Sequence, residues 1–220
     1  MNEDNILLRK PLGELIAEQL KQDIFNQKIE FGERLIEADL AERFDVSRST
    51  IREALKILEQ EELVTSKARK GTFVSEFTEK DLDEMTELRL ILEVNAFIRA
   101  LKNLEENHYR DLQAIIDEMK IQAEKKNWNA LFDLDMQFHQ YVVRICGNSR
   151  IVKIYEAISI QIRVYLAHLD QYYTNPVSFY KEHKELFDAL VLKDKQLVKK
   201  QVENHINYVE EKLLRKIADE

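Results

Sequence analysis

The stretch DVSRSTIREAL, residues 45–55, determines how the first third of the chain is interpreted. Ser47 is a favoured helix N-cap, and the helical spacing after it predicts a helix over residues 48–61. At about 100° per residue, the apolar positions share one face of that helix and are expected to pack into a core. These positions are Ile51, Ala54, Leu55 and Leu58.

The opposite face of this predicted helix carries guanidinium and hydroxyl groups close to its N-terminus. Arg48 and Arg52 lie one helical turn apart, and Ser49 is beside them. Such a helix start can enter the major groove of DNA, where arginine pairs with guanine and hydroxyls bond to phosphates or bases. The alternative is an ordinary surface on which the arginines are solvated or ion-paired, for example with Glu53.

The segments on either side of this helix predict a winged helix-turn-helix domain. Upstream, Pro11 opens a helix over residues 12–25, and a shorter helix covers residues 36–44. Downstream, LVTSKARKGTFVS predicts two short strands, joined by a basic turn that contains Gly71. In the two upstream helices, the side chains expected to face inward are Leu12, Leu15, Ile16, Leu20, Ile24, Ile36, Leu40, Ala41 and Phe44.

The composition favours a mostly helical protein of the cytoplasm. Only 4 Gly and 2 Pro occur among 220 residues, too few for a turn-rich β architecture. The single cysteine, Cys146, excludes an internal disulfide and suits a reducing cytosol. The sequence has neither a signal-peptide pattern nor an apolar run of the roughly 20 residues that a membrane span needs, so no membrane partner is expected. The net charge of −8 does not suggest nucleic-acid binding, which therefore depends on the local basic clusters.

The remainder of the chain, residues 77–220, has a helical pattern throughout and predicts an all-α bundle of six helices. The fourth of these helices is expected to reach about Tyr172. The predicted fold class is therefore mostly α, with a winged helix-turn-helix and its small β-wing over residues 1–76, followed by the helical bundle. The expected helix openings are Thr78 with Asp81 as a capping box, Asn107 or His108, Asn127, Ser149, Asn175-Pro176 and Asp194.

Two spacings in this bundle indicate a metal site. Asp135 and His139 are four residues apart and therefore share one helix face. His183 and His205 lie at equal distances on either side of Asp194, so a helical hairpin that turns there would place them side by side. One carboxylate and three imidazoles suit Zn²⁺, Ni²⁺, Mn²⁺ or Fe²⁺. A single helical histidine is more often an ordinary core or surface residue, and that interpretation is kept for His108 and His168.

The segment LIEADLAERFDVSRSTIREALKILEQEELV resembles the winged-helix domain of the GntR family of bacterial transcription regulators. Three departures, at Phe31, Thr50 and Glu62, stand where the family often has proline or glycine, and they affect loop stiffness more than the polar helix face. The likeness implies contact with double-stranded operator DNA. The residues that it assigns to this contact are Arg34, Ser47, Arg48, Ser49, Thr50, Arg52, Lys70, Gly71 and Thr72.

The segments DLDMQFHQYVVRICGNSRIV and EHKELFDALVLKDKQLVKKQVENHI resemble the FCD effector domain, found in the FadR branch of that family. The likeness implies a divalent metal ion, Zn²⁺ ahead of Ni²⁺, Mn²⁺ or Fe²⁺. It also places Arg89, in the segment TELRLILEV, and Asn148 at an effector-binding site. The metal ligands that it implies are Asp135, His139, His183 and His205.

Together the two resemblances imply a homodimeric transcription regulator, more often a repressor, whose operator affinity responds to a small carboxylate or hydroxy-acid. One alternative is a metalloregulator, for which the metal ion itself is the signal. A second alternative is a metal-dependent helical enzyme fused to a DNA-binding domain. Against the enzyme, the sequence has no pair of Glu-x-x-His motifs for a second metal and no Gly-rich phosphate loop. The chain is therefore not expected to be an enzyme.

Overall fold

The computed structural model of the chain describes residues 10–76, 78–168 and 175–217, with the exception of the side chains of residues 79, 168 and 208–217. The chain divides into two compact units, Met1–Glu76 and Phe77–Glu220. The mostly α fold class, with a small sheet in the first unit and a helical second unit, is confirmed. No helix in the described ranges is long and apolar enough to cross a membrane.

Residues 10–76 of the first unit form three helices and three strands. The elements are α1 (Leu12–Phe25), β1 (Arg34–Leu35), α2 (Glu37–Phe44), α3 (Arg48–Gln60), β2 (Val64–Lys67) and β3 (Gly71–Val74). The strands form an antiparallel sheet of order β1-β3-β2. The predicted helix after Ser47 is confirmed, and its residues Ile51, Ala54, Leu55 and Leu58 are all buried.

Three apolar residues predicted to face this core are instead about half exposed. The exposed fractions are 53% for Leu12, 50% for Leu15 and 44% for Ile36. The buried face of α1 includes Gly13, Ile16, Ala17, Leu20 and Ile24. The backbone at Gly13 packs against α3, and this packing directs Leu12 and Leu15 away from the core. The prediction for these three residues was wrong. For Leu12 and Leu15, periodicity alone did not fix which edge of the apolar stripe of α1 meets α3, and Ile36 is the N-cap that precedes α2 and not a residue of its apolar face.

The strand β1 was not predicted. Arg34 pairs with Phe73 and Leu35 with Thr72, so the segment before α2 adds a third strand to the wing hairpin. Two residues are too few to produce an alternating pattern, which explains why the sequence gives no sign of this strand. Its consequence is that Arg34 lies directly beside the wing.

The second unit is a bundle of six helices in the part of the chain that is described. The helices are α4 (Glu79–Ala100), α5 (Glu106–Glu124), α6 (Trp128–Ile145), α7 (Ser149–His168), α8 (Pro176–Leu192) and α9 (Lys195–Ile217). Helix α4 packs against α9 and α6, α5 packs against α8 and α6, and α7 packs against α6. Helix α6 is therefore central and carries side chains into the middle of the bundle.

Most of the predicted helix openings in the second unit are confirmed. The capping box of Thr78 with Asp81 is present, and the side chains of Asn127 and Asn175 cap α6 and α8. The opening of α5 was predicted too late: Glu105 is its N-cap, and Nδ1 of His108 accepts a hydrogen bond from the Glu105 amide at 3.0 Å. The predicted end of the fourth helix, at residue 172, lies outside the described residues.

Candidate functional site

A buried cluster of three imidazoles and one carboxylate lies inside the second unit. Asp135 and His139 extend from α6, His183 from α8 and His205 from α9. Each side chain offers a metal-ligating atom, and these atoms all lie within 4.8 Å of one another. All four residues are buried, with His205 the most accessible at 4%. The structure therefore brings together the four residues that the sequence assigned to a metal ion.

The turn between α8 and α9 brings the two distant histidines together. Lys193 ends α8 in the left-handed conformation, with φ of 54°. Asp194 then caps α9, because its Oδ1 accepts hydrogen bonds from the amides of Gln196 (2.9 Å) and Leu197 (3.1 Å). The helices that leave this turn place the rings of His183 and His205 with their centroids 4.6 Å apart.

The three imidazoles direct the same nitrogen toward one carboxylate oxygen. The distance from Nε2 to Oδ1 of Asp135 is 2.8 Å for His183, 3.6 Å for His205 and 3.8 Å for His139. Burial raises the pKa of Asp135, but the three histidines outweigh burial and hold that pKa well below its usual value. Asp135 is therefore an anionic centre surrounded by imidazole nitrogens.

The opposite nitrogen of each imidazole faces an acceptor. Nδ1 of His183 lies 2.8 Å from the carbonyl oxygen of Phe179. A carbonyl oxygen only accepts, so Nδ1 of His183 donates, and Nε2 of the neutral ring carries the lone pair. This tautomer makes Nε2 of His183 available as a ligand atom at the centre of the cluster.

A buried ion pair supports His139 from α4. Nε of Arg89 donates to Oε1 of Glu93 at 2.7 Å, and Oε2 of Glu93 approaches Nδ1 of His139 to 2.5 Å. Burial raises the pKa of Glu93, but Arg89 and His139 outweigh it and lower the pKa to about 2. Glu93 is therefore ionised, and it favours a proton on Nδ1 of His139, which leaves Nε2 to face Asp135.

His205 has a more accessible carboxylate behind it. Oε2 of Glu182 lies 3.5 Å from Nδ1 of His205, and the Glu182 side chain is 21% exposed. Burial lowers the pKa of His205, whereas Asp135 and Glu182 raise it, to about 9. Both His205 and Glu182 line a surface cavity of about 200 Å³. The cluster is thus nearest to solvent on the side of α9.

The donor set fits a divalent cation. Nε2 of His139 is buried and has no hydrogen-bond partner. Buried polar atoms are rarely left in this state in a folded protein, and an ion held by the four residues would engage this nitrogen. Three nitrogens and one oxygen are the ligand chemistry of Zn²⁺ and its neighbours among the transition metals.

Asn148 occupies a structural position at the other end of α6. Its Oδ1 accepts hydrogen bonds from the amides of Arg150 (3.0 Å) and Ile151 (3.3 Å), so it caps the first turn of α7. The amide of Asn148 in turn contacts the buried Sγ of Cys146. No described contact joins Asn148 to the four-residue cluster, and only its side-chain nitrogen remains available to a ligand.

In the first unit, the hydroxyls at the start of α3 form one network. Oγ of Ser47 accepts from the amide of Thr50 at 3.2 Å, which is the predicted N-cap bond. The same oxygen lies 2.7 Å from Oγ of Ser49 and 2.8 Å from Oγ1 of Thr50. Arg48 is exposed beside this network. The polar helix start is thus ordered and accessible.

One turn further along α3, Arg52 is engaged by α2. Its Nε donates to both carboxylate oxygens of Glu37, at 3.0 and 2.8 Å. The alternative in which an arginine of this surface is ion-paired therefore holds for Arg52, although its partner is Glu37 rather than Glu53. The Glu53 side chain instead lies against Gly13 of α1.

The wing brings Arg34 next to the turn of the hairpin. Gly71 has φ of +109°, and a Cβ at this position would lie 3.0 Å from Nε of Arg34. Only glycine accommodates both the backbone conformation and this close approach. Lys70 is exposed, and Oγ1 of Thr72 lies 3.4 Å from Oγ of Ser66 on the neighbouring strand.

Three residues near the cluster were missed as functional residues, namely Glu93, Tyr155 and Glu182. The spacing of Glu93, four residues after Arg89 in a helix, would have indicated their ion pair. No local signal marks Tyr155 or Glu182, because the contacts of each residue depend on how its own helix, α7 or α8, packs against other helices.

A winged helix-turn-helix joined to an all-helical unit with a buried His/Asp centre defines a class, the DNA-binding regulators with a separate sensor domain. A model of the family described as bacterial regulatory proteins, gntR family, matches residues 12–74, and a model of the FCD domain matches residues 84–208. The chain belongs to the GntR family and carries an FCD domain, a kind of domain that commonly binds a metal ion.

Known proteins related to the chain are themselves regulators. The gluconate operon transcriptional repressor of Bacillus licheniformis is 30% identical over 212 residues, which cover 94% of this chain and 87% of that protein. The HTH-type transcriptional repressor RspR of Escherichia coli strain K12 is 25% identical over 203 residues, with coverages of 92% and 89%. The chain is accordingly a DNA-binding transcriptional regulator and not an enzyme.

The fold is also found among solved structures. The structure of McbR/YncC from E. coli matches with a TM-score of 0.79 and 21% identity, and the match covers 95% of this chain and 100% of that one. At this level of identity the likeness concerns the fold alone.

Proposed function

We propose that the protein is a repressor whose affinity for operator DNA is controlled by a small carboxylate or hydroxy-acid bound at a metal ion in the second unit. The observation that carries this proposal is the common orientation of the three imidazoles, each with Nε2 toward Asp135 and Nδ1 toward an acceptor. Packing in a hydrophobic core does not by itself orient three histidine rings with the same nitrogen toward one carboxylate.

The proposed ligands are Asp135, His139, His183 and His205. Zn²⁺ is the first candidate because four N and O ligands suit it, while Ni²⁺, Mn²⁺ and Fe²⁺ accept the same atoms. A bound ion supplies Lewis-acid positions to the oxygen atoms of an organic acid. The chain's own contribution is to fix the tautomers of His139 and His183 and to hold one carboxylate ionised in a buried site.

Two further donors support an acidic effector. Nη2 of Arg89 and the hydroxyl of Tyr155 are buried and have no hydrogen-bond partner. Burial and the neighbouring Glu93 raise the pKa of Tyr155 well above its usual value, so its hydroxyl keeps its proton and can donate. A guanidinium and a phenol are suited to a carboxylate and a hydroxyl of one small molecule. Asn148 remains a proposed effector residue through its side-chain nitrogen.

We assign DNA contact to the start of α3 and to the wing. One such unit reads only a few bases, so a homodimer on a pseudo-palindromic operator is proposed, and with it a cytoplasmic location. Repression is supported by the two related proteins described above, both of which are transcriptional repressors. The residues assigned to the contact are Arg34, Ser47, Arg48, Ser49, Thr50, Arg52, Lys70, Gly71 and Thr72.

A second candidate function is that of a metalloregulator, in which the metal ion is itself the signal. The completeness of the buried four-residue cluster favours this candidate, since such a site binds a metal ion without help from an organic ligand. The two functions differ in what changes operator affinity: an acid at constant metal loading, or the metal alone.

The deciding experiment measures melting temperature and DNA affinity on metal-loaded and chelated protein. The loaded protein is expected to be stabilised by one member of a panel of small organic acids, and that acid should change its affinity for DNA. If chelation alone changes DNA affinity and no acid has an effect, the metalloregulator is the better description. If neither chelation nor any acid affects stability or DNA binding, the metal-dependent proposal is wrong.

A further inference from the structure

The ion pair between Arg52 and Glu37 connects the proposed recognition helix α3 to the first turn of α2. Nε of Arg52 donates to both oxygens of Glu37, at 3.0 and 2.8 Å. The side chains are 65% and 36% exposed, respectively. An ion pair with this much exposure contributes little to folding stability, because water screens the charges and two long side chains lose freedom.

The geometry of the pair leaves a specific part of the guanidinium available. Arginine has five N–H donors, one on Nε and four on the two Nη atoms. Glu37 engages Nε and leaves Arg52 the edge formed by Nη1 and Nη2. Two N–H groups of an arginine bond in parallel to O6 and N7 of guanine in the major groove. The pair therefore restricts the arginine without occupying that edge.

The pair also reduces the entropy that Arg52 loses on binding. A free arginine side chain samples many rotamers, and fixing one of them at an interface opposes binding. In this structure the side chain is restricted before DNA arrives. The charge of Glu37 acts in the opposite sense, since it repels phosphates and weakens binding to any DNA.

We propose that Glu37 is a positioning residue for DNA reading: it orients Arg52 so that the Nη edge pairs with guanine, which increases discrimination between sequences at a small cost in general affinity. This inference rests on the proposed contact of Arg52 with DNA. Its distinctive consequence is a change in specificity, whereas an inhibitory ion pair or a merely structural one would change affinity or stability.

The test compares Glu37→Gln with Asp39→Asn in the full-length protein. Asp39 is an exposed acidic residue in the same first turn of α2, so Asp39→Asn removes the same negative charge from a neighbouring position. The probes are a duplex selected in vitro by the wild-type protein from a random library and a scrambled duplex of equal length. Fluorescence anisotropy measures both affinities, and thermal unfolding checks the fold.

Both variants are expected to bind the scrambled duplex slightly more tightly. Only Glu37→Gln should reduce the ratio of the two affinities, by about three- to tenfold, the range expected when one long side chain must be ordered on binding. In the Arg52→Lys background, Glu37→Gln should have no further effect on this ratio, because lysine has no Nη edge for Glu37 to orient.

Two results would overturn the inference. One is an equal affinity ratio for Glu37→Gln and Asp39→Asn, and the other is a higher ratio for Glu37→Gln, which would identify an inhibitory pair. Arg52→Lys separates this inference from the underlying assignment. If Arg52→Lys keeps the wild-type ratio, Arg52 does not read DNA and the proposed contact itself fails. If it loses discrimination while Glu37→Gln does not, only the role of Glu37 fails.

Discussion

Nε2 of His183 lies 2.8 Å from Oδ1 of Asp135, although Nδ1 of the same ring faces the carbonyl oxygen of Phe179 at 2.8 Å. In the neutral tautomer this arrangement directs a nitrogen lone pair at a carboxylate oxygen. A positive charge between the two atoms, a proton or a metal ion, makes the contact favourable. Burial and the neighbouring His205 lower the pKa of His183, which disfavours a proton on this ring, and a metal ion would make the same contact favourable.

Removal of His183 should therefore remove the metal. In His183→Ala only three of the proposed ligands remain, and we expect the metal content of purified protein, measured by mass spectrometry, to fall well below one ion per chain. The melting temperature should fall as well, because metal binding contributes to folding stability.

The matched control is His108→Ala. His108 is also a helical histidine of the second unit, but its role is to cap α5. This variant should lose some stability, about 0.5–2 kcal/mol for a lost cap, and retain its metal. An unchanged metal content in His183→Ala, or an equal loss in His108→Ala, would contradict the four-residue site.

Substitution of Glu93 should weaken the site without removing a ligand. In Glu93→Gln the partner of His139 Nδ1 is no longer anionic, and loss of such a partner typically lowers metal affinity about 10- to 100-fold. Arg89 would also be left buried without its carboxylate, a change that costs about 3–5 kcal/mol in comparable cases. Competition with a chelator of known affinity measures the first effect, and chemical denaturation measures the second.

Glu182→Gln provides the comparison for this prediction. Glu182 supports His205 in the same way but is 21% exposed and 3.5 Å away. We expect a smaller loss of metal affinity and little change in stability, since solvent screens the missing charge. Equal effects for the two variants would show that the buried Arg89–Glu93 pair has no special role in the site.

The sequence predicted those features that depend on local pattern. Helix α3 was predicted with its cap and its buried face because Ser47 is a strong N-cap signal and the apolar spacing is regular. Asp135 and His139 share a face by helix geometry alone, and the hairpin at Asp194 was enough to bring the other two histidines together. The resemblance to the GntR winged helix and to the FCD domain then assigned DNA binding to α3 and metal binding to the four-residue cluster.

The remaining features depend on contacts between elements. Glu93 contacts His139 from a different helix, α4, and Tyr155 of α7 lies beside Glu93. Contacts between residues of different helices cannot be predicted from the spacing within one helix. The pair of Arg52 with Glu37 likewise joins α3 to α2 across a turn. Strand β1 was missed for a different reason, since two residues are too short to show periodicity.

The cap of α3 leads to a prediction about stability and binding. Ser47→Ala removes the acceptor for the Thr50 amide and should destabilise the first unit by about 0.5–2 kcal/mol. Ser49→Ala removes a hydroxyl of the same network but leaves the cap bond intact. We expect both variants to bind the selected duplex more weakly, while only Ser47→Ala lowers the unfolding midpoint in denaturant. Loss of stability in Ser49→Ala instead would show that the cap is assigned to the wrong serine.

The wing is tested best at Gly71. Alanine at this position meets two obstacles, a φ of +109° that favours glycine and a Cβ that would lie 3.0 Å from Nε of Arg34. Gly71→Ala should therefore displace Arg34 and deform the turn, and we expect its affinity for the selected duplex to fall about tenfold or more, as for the loss of a charged DNA contact.

Gly147→Ala is the control for this substitution, because it imposes a similar strain in the second unit. Gly147 has φ of +69°, and a Cβ there would lie 2.9 Å from Nδ2 of Asn103. The control should lower thermal stability and leave DNA affinity close to that of the wild type. If the two variants lose stability to a similar extent but only Gly71→Ala loses DNA binding, the loss arises at the wing and not from general strain. Retention of full DNA affinity by Gly71→Ala would remove Arg34, Lys70, Gly71 and Thr72 from the proposed contact.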